Sequence, residues 1–275
     1  EKSRINFENI TNHLKNLGVK EGDILITHSA YGPFKYSGYK PNDIIQFLIR
    51  LVSNGGTLVM PGIRKYKNEP IGFERIHYSF LDKITEYDPR KTPIWTGVLP
   101  KTLALMEGAC LSLTPLNSLI AYGRDAKQMF VKELNGEKAS PPNGKNSGWA
   151  YCLEKNAWII SLGVSLTHNL TSIHTTEDIN YLNWPIEGWY RKRKFRIKSD
   201  DKVFEKEFLE RHPKWGMLHF GERRLNRDLI KRNILFSSVI DGVIVEAIRS
   251  LDLHNFLDEN NAKGYPYFWI SKYLK

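Results

Sequence analysis

The stretch SLTHNLTSIHTTEDIN, residues 165–180, places two histidines among acids and hydroxyls directly after an apolar run. That run, AWIISLGV, is typical of a buried strand, and TTEDINYL begins like a helix with Thr175 as its cap and Asp178 three residues further on. A histidine at such a strand-to-helix junction is placed to act as a general base near neutral pH. We therefore predict that His174 is catalytic and that Glu177 or Asp178 orients its ring.

The same residues have two other interpretations. Acids in the first turn of a helix favour its dipole, which accounts for Glu177 and Asp178 but not for His174. His168 and His174 with a carboxylate are also chemically competent for zinc, but their spacing matches no standard zinc signature, so we expect no metal. No serine lies in a Gly-x-Ser-x-Gly elbow and neither cysteine has a reactive setting, so the substrate is expected to bring the nucleophile.

A second histidine, His28, follows another short apolar run and opens a loop rich in glycine and hydroxyls. In open α/β sheets, ligands bind beyond the carboxyl ends of the strands. Backbone amides of such a loop, with a helix N-terminus behind it, suit a phosphate or a polar linker. No phosphate-binding glycine signature is present, so an ordinary surface loop is the alternative.

The composition limits the classes of function. With 275 residues, 41% of them hydrophobic, the chain can bury the core of one large domain or two small ones. Its formal net charge of +10 favours anionic partners such as phosphates and nucleotides, although charge alone also serves solubility. No zinc knuckle, RNA-binding aromatic signature or helix-turn-helix pattern is legible, so nucleic acid is not an expected partner.

The compartment is also predicted from composition. No apolar run reaches the roughly 18 residues of a membrane span, and the charged first residues do not resemble a secretory signal. The two cysteines, Cys110 and Cys152, are too few for a disulfide scaffold in a chain of this size. We therefore expect a cytoplasmic protein that binds no membrane, and we leave open whether it is a monomer or a homodimer.

The order of elements predicts an α/β fold. Short apolar runs predict strands at 24–27 and 57–61, with a helix at 44–52 between them. This βαβ-like order indicates a parallel sheet. Because no internal repeat or long linker is visible, we predict a single domain over residues 1–275, with a variable basic insertion at about 185–215.

Several segments of the chain resemble, in the same order, the aminoglycoside 3-N-acetyltransferase family within the antibiotic N-acetyltransferase superfamily. The matching segments are LGVKEGDILITHSAYG, GGTLVMP, WTGVLPKTL, PLNSLIAYGRDA and SPPNGKNSGWAYCLEKNAWIISLGVSLTHNLTSIHTTED. The last is the most specific, because it joins a loop signature, a strand and a His-x-x-Glu ending. The resemblance covers nearly the whole chain and is weakest at about 60–90 and 185–215.

This resemblance implies an α/β/α sandwich on a mixed central sheet and an N-acetyltransferase that uses acetyl-coenzyme A without a metal. It implies that His174 is the base, that Glu177 is the acid that follows it, and that the loop after His28 binds the coenzyme. The residues expected to contact the coenzyme are His28, Ser29, Ala30, Tyr31, Gly32, Lys35, Ser37, Gly38, Thr57 and Ser118. A neutral amine would attack the thioester directly, and amides of this loop would hold the thioester oxygen.

The acceptor is where the sequence departs from the family. Lys101 replaces an acid that is usual in the family, and the segment 111–116 lacks the family's basic residue and histidine. An aminoglycoside is a polycation, whereas residues 189–198 read WYRKRKFRIK, which is either a solvated strand face or a cleft wall that attracts anions. The acids between residues 69 and 88 favour a cationic acceptor instead.

We predict that the acceptor is a primary amine of an amino sugar, either free or linked to a nucleotide. The first alternative is acetylation of an aminoglycoside, which would give antibiotic resistance. The second alternative is a basic binding module without catalytic activity, which would show steep salt dependence of binding and no acetyl transfer.

Overall fold

The computed structural model describes most of the chain. The described residues are 5–53, 55–67, 69–70, 72–78, 83–135, 138–184, 186–200, 202–217 and 222–261. Asp82, one of the acids considered above, and the side chain of His168 lie outside what the structure describes. No helix within these ranges is long and apolar enough to cross a membrane.

The described chain alternates short strands and helices. The strands are β1 (Ile24–Ser29), β2 (Thr57–Pro61), β3 (Ile84–Tyr87), β4 (Cys110–Leu111), β5 (Leu119–Gly123), β6 (Ala139–Ser140), β7 (Trp158–Leu162), β8 (Tyr190–Ser199), β9 (Lys202–Arg211), β10 (Phe236–Ile240) and β11 (Val243–Arg249). The helices are α1 (Phe7–Asn16), α2 (Pro41–Val52), α3 (Glu74–His77), α4 (Val98–Ala104), α5 (Ala126–Phe130), α6 (Gly148–Glu154), α7 (Ile173–Ile179), α8 (Pro213–Met217), α9 (Glu222–Lys231) and α10 (Ser250–Asn261). Three short 3₁₀ turns lie at Gly32–Phe34, Leu166–His168 and Tyr181–Asn183.

Seven strands form a central mixed sheet in the order β10-β11-β7-β1-β2-β5-β4. The three central strands, β7, β1 and β2, are parallel, and antiparallel strands extend the sheet on both sides. The predicted parallel pairing of β1 with β2 is therefore confirmed. Because the three central strands end at one edge of the sheet, the residues that follow them, including His174, are brought to that edge.

Apolar layers cover both faces of this sheet, as expected from alternating side-chain direction along a strand. In β1, Leu25 packs with residues of α1, α2 and α4, while its neighbours Ile24 and Ile26 pack with residues of α5, α6, α7, α9 and α10. All three are at most 5% exposed. The α/β/α sandwich on a mixed sheet is thus confirmed.

A second, four-stranded sheet has the order β3-β8-β9-β6. Its centre is the long hairpin of β8 and β9, which pair from Tyr190–Arg211 to Ser199–Lys202. This hairpin lies within the segment of about 185–215 that we predicted to be a variable basic insertion. The apolar side of this sheet buries Tyr87, Phe195 and Phe208. The hairpin therefore brings its far end, Arg211, back beside its start.

The segments that follow β1 and β7 pack against each other at Gly163. This glycine has φ of +73°, and a Cβ on it would lie 2.9 Å from the carbonyl oxygen of Ala30 and 2.9 Å from Cγ of Pro33. The left-handed conformation alone costs a residue with a Cβ roughly 1–2 kcal/mol. We expect Gly163→Ala to lower the free energy of unfolding by about 2 kcal/mol or more, as measured by urea denaturation.

Gly32 is the matched control for this substitution. It lies in the same loop region, and a Cβ on it would meet nothing within 4 Å. Gly32→Ala is therefore expected to change stability by less than about 0.5 kcal/mol. Equal stabilities for the two variants would contradict the close packing at Gly163.

Candidate active site

His174 lies in the first turn of α7 and contacts Glu177 of the same helix, at the edge of the central sheet where the parallel strands end. Its Nδ1 lies 3.1 Å from Oε2 of Glu177, and the two side chains are 18% and 2% exposed. Residues three apart lie on the same face of a helix, so the His-x-x-Glu spacing produces this contact directly. A buried carboxylate beside Nδ1 fixes the orientation of the ring.

The second candidate acid, Asp178, has different partners. Its carboxylate accepts hydrogen bonds from the backbone amide of Asn143 (2.9 Å) and from the hydroxyl of Tyr190 (2.8 Å). Burial, together with the neighbouring charge of Glu177, raises the pKa of Asp178 to about 8. Asp178 therefore ties α7 to β8 and to the loop that contains Asn143, which we call the 143 loop. Glu177 is the acid that contacts His174.

The capping pattern predicted that this helix begins after Thr175, but it begins two residues before Thr175, at Ile173. Thr175 is not the cap that the capping pattern predicted, because α7 begins at Ile173 and Ser172 occupies the cap position without a side-chain hydrogen bond. Thr175 is buried inside the helix, with its hydroxyl 3.4 Å from Nδ2 of Asn143. Packing against the 143 loop takes precedence over the local capping signal.

A cavity of about 570 Å³ lies on one side of His174. It is lined by the end of β1, by the loop around Thr96, by the turn before α7 and by part of α9. Burial lowers the pKa of His28, which lines this cavity, to about 4, so its ring is neutral at pH 7. Within the described part of the chain, Nε2 of His28 has no hydrogen-bond partner.

A second cavity, of about 480 Å³, adjoins the first. The two share Ile63, His174 and Arg211, so the histidine lies at the boundary between them. The second cavity is lined by Glu177 and Asp178 and by side chains of the β8–β9 hairpin. One base between two cavities can serve two substrates that must meet.

Only the first two residues of the predicted coenzyme-binding loop line a cavity next to His174. His28 and Ser29 line the first cavity, whereas Ala30, Tyr31, Gly32, Lys35, Ser37 and Gly38 line neither cavity. The amide of Ala30 donates to the carbonyl of Leu162 (3.0 Å), and those of Phe34, Lys35 and Ser37 donate to carbonyls within the loop. These four amides are therefore already engaged by backbone acceptors.

The other two predicted contacts lie at different edges of the sheet. Thr57 begins β2, at the end away from His174, and its hydroxyl accepts from the amide of Asp125 (2.9 Å). Ser118 is fully buried and donates to the carbonyl of Gly62 (3.0 Å), while it accepts from Nε of Arg64 (3.3 Å). The structure thus brings Ser118, but not Thr57, next to the second cavity, where it supports an arginine.

The basic run 189–198 has two faces. Arg193 is 1% exposed and pairs with Glu69 (2.9 Å) and Glu210 (3.3 Å), next to the second cavity. Arg196 and Lys198 are solvent-accessible and pair with Glu86 on β3. The run is therefore a solvated strand face at Arg196 and Lys198, and it reaches the second cavity at Arg193, which is paired with two glutamates. Glu69 and Glu86 already have arginine or lysine partners.

Three residues around the cavities carried no assignment from the sequence. Thr96 lies in the segment WTGVLPKTL, and its hydroxyl donates to the carbonyl of Pro61 (2.6 Å). Arg64 and Arg211 gave no local signal, because they come from an irregular stretch and from the end of a hairpin.

In the described part of the chain, no three His, Cys, Asp or Glu side chains are grouped as metal ligands.

A family model described as aminoglycoside 3-N-acetyltransferase matches residues 26–238. The aminoglycoside N(3)-acetyltransferase IV of Salmonella sp is 26% identical over 199 residues, which are 72% of this chain and 66% of that protein. The chain thus spans slightly less than two thirds of this relative.

Solved structures share the fold. Aminoglycoside acetyltransferase AAC(3)-Xa has a TM-score of 0.74 at 17% identity, with 92% of this chain and 90% of that chain covered. A binary structure of AAC-IIIb with CoASH has a TM-score of 0.68 at 18% identity, with 90% and 92% covered. At these identities the likeness establishes the fold.

The raised pKa of Asp178 predicts a pH-dependent contribution to stability. Between its ordinary value of 3.8 and about 8, the unfolded chain has released a proton that the folded chain keeps. The stabilisation is therefore complete below about pH 4 and is lost as the pH rises to 8. Because asparagine does not ionise, we expect the stability of Asp178→Asn relative to wild type to increase over this range, by at most about 1.4 kcal/mol per pH unit.

Urea denaturation at several pH values measures this difference. Asp252→Asn, at an exposed position of α10, controls for the loss of one carboxyl group. A wild-type-to-variant difference that stays constant from pH 5 to 8 would show that Asp178 is ionised in the folded protein.

Proposed function

The chain belongs to the aminoglycoside 3-N-acetyltransferase family, and we propose that it transfers the acetyl group of acetyl-coenzyme A directly to a primary amine with His174 as general base. The observation that carries this proposal is the position of His174 at the boundary of two cavities, with Glu177 3.1 Å from its Nδ1. The Salmonella relative is an aminoglycoside N(3)-acetyltransferase and the AAC-IIIb structure contains CoASH, and both support the choice of donor.

His174 manages the proton in this reaction. With Nδ1 donating to Glu177, Nε2 is the basic nitrogen of the neutral ring. The amine nitrogen bonds to the acyl carbon as the carbon–sulfur bond breaks, and His174 takes the amine proton and returns it to the leaving thiolate. Glu177, buried at 2% exposure, stabilises the imidazolium between these two steps.

The first cavity is the proposed site of the thioester. It has His28 and Ser29 at the end of β1, where a neutral imidazole can donate one hydrogen bond. Since the amide of Ala30 is already bonded to Leu162, we assign the polarisation of the thioester oxygen to Nε2 of His28.

The acceptor amine then approaches from the second cavity. We propose the amine of an amino sugar, free or linked to a nucleotide. The cavity is lined by four arginines and four acids, but two of the arginines, Arg64 and Arg211, form no ion pair among the described residues. An aminoglycoside is the second candidate, favoured by the Salmonella relative, which is an aminoglycoside N(3)-acetyltransferase. The third candidate is a binding module without activity, and the next experiment separates it from both.

Thiol release from acetyl-coenzyme A, with free amino sugars, nucleotide-linked amino sugars and aminoglycosides as acceptors, tests the proposal. Removal of a general base lowers turnover by about 10²- to 10⁴-fold, so we expect His174→Ala to lose acceptor-dependent release to that extent. Glu177→Gln keeps the shape but not the charge and should show a smaller loss in kcat. His13→Ala, on α1, is the matched histidine control and should retain wild-type turnover. Equal rates for His174→Ala and wild type would exclude this role.

His28 gives a separate prediction. If its ring polarises the thioester, His28→Leu should lower kcat by about 10²-fold with little change in the KM for acetyl-coenzyme A. His28→Gln retains a donor and should recover part of that loss. Steady-state kinetics on both variants separates the effect on kcat from the effect on the KM for acetyl-coenzyme A. A change confined to KM would assign His28 to binding alone.

A further inference from the structure

The second cavity is lined by Arg64, a buried cation that forms no ion pair among the described residues. The side chain of Arg64 is 6% exposed, and its guanidinium donates from Nε to Ser118 (3.3 Å) and from Nη1 to the carbonyl of Thr92 (3.0 Å). Within the described part of the chain, its Nη2 has no hydrogen-bond partner and no carboxylate lies within ion-pair distance. A buried charge without an opposite charge is unfavourable unless a ligand supplies one.

Two acids of this cavity, Glu69 and Glu210, already form ion pairs with arginines. Glu69 pairs with Arg75 and Arg193, and Glu210 pairs with Arg75, Arg191 and Arg193. These ion pairs link the two glutamates to three arginines, so they leave no carboxylate for a further cation.

Arg211 is the second cation that forms no ion pair among the described residues. It is half-buried, it lines both cavities at their boundary, and its Nη1 has no hydrogen-bond partner among those residues. The charge of Arg211 acts on Asp178 by lowering the pKa of that carboxyl, but the oxygens of Asp178 are hydrogen-bonded to Asn143 and Tyr190, and Glu177 lies beside His174. Arg64 and Arg211 therefore offer donors to an anion.

We propose that the second cavity binds the acceptor through a phosphate group, which Arg64 and Arg211 hold while the acceptor amine meets His174. This rests on the proposed transferase function. Guanidinium groups bind phosphate oxygens through paired charge-assisted hydrogen bonds, which makes arginine well suited to this role. Such a site favours a phosphorylated amino sugar and repels a polycationic aminoglycoside.

The positive lining continues beyond the phosphate site. A third cavity, of about 660 Å³, shares Tyr66, Glu69 and Arg193 with the second. Its further cations are Lys65, Lys67, Lys83 and Lys91. Arg196 and Lys198 pair with its other acid, Glu86, so the field of this trough is positive. An acceptor with a longer anionic part, such as a nucleoside diphosphate, fits this extension.

Calorimetric binding of inorganic pyrophosphate, with coenzyme A present at saturation, tests the site without catalysis. We expect wild type to bind and Arg64→Met and Arg211→Met each to weaken binding at least about tenfold. Arg124→Met, at an exposed arginine that pairs with Asp125, is the matched control and should bind as wild type. Because Arg64 is buried, Arg211→Met carries the test if thermal unfolding shows that Arg64→Met is not folded.

Two results of this titration would overturn the proposal. Pyrophosphate binding that is measured without coenzyme A but is lost when coenzyme A is present would assign the two arginines to the coenzyme's own phosphates. Binding that is equal in wild type and both variants would place the anion elsewhere on this basic protein.

A matched pair of acceptors, galactosamine and galactosamine 1-phosphate, tests the same site during turnover. We expect kcat/KM to be at least about tenfold higher for the phosphate, and Arg211→Met to remove most of that ratio through KM. Equal kcat/KM for both acceptors, with both reactions dependent on His174, would overturn the phosphate site and leave the transferase intact. Arginine-dependent pyrophosphate binding without acetylation of any acceptor would instead overturn the transferase and retain the site.

Discussion

The hydrogen bond between His174 and Glu177 is the interaction on which the rest of the site depends. The Glu177 carboxylate is 2% exposed, and a carboxylate at that depth is stable only with a partner of opposite or switchable charge. Its helix, α7, follows the central strand β7 and lies at the edge where three parallel strands end. The fold therefore places an oriented imidazole at the edge of the sheet where the parallel strands end, which is where ligands bind in open α/β sheets.

Neighbouring contacts fix α7 in place. Asp178 accepts from Asn143 and Tyr190, which joins the helix to the 143 loop and to the second sheet. On another face of α7, Thr176 lies 2.9 Å from Nδ1 of His254 on α10. The β8–β9 hairpin is thus part of the site's frame, since it supplies both Tyr190 and Arg211. The two cavities also differ in their lining: a neutral histidine lies at the end of β1 in the first, whereas four arginines and four acids line the second.

The sequence was informative where function depends on neighbours along the chain. The His-x-x-Glu spacing gave the His174–Glu177 contact because both residues lie on one turn of one helix, and strand periodicity with the family resemblance gave the sandwich. Contacts between distant segments were not predicted. Thr175 is buried inside α7 and does not cap it, and Arg64 and Arg211 line one cavity although they lie far apart along the chain. The loop after Ser29 closes on itself in a 3₁₀ turn, which composition alone could not distinguish from an open ligand loop.

We propose that His174 lies between a cavity for the donor and a cavity for the acceptor. A crystal structure with coenzyme A bound is the decisive test, because the sulfur atom marks where the acyl group is released. We predict that the sulfur lies in the first cavity, beside His28 and within reach of His174, with the second cavity left open for the acceptor. A sulfur atom in the second cavity, among Arg64 and Asp178, would contradict the assignment of donor and acceptor.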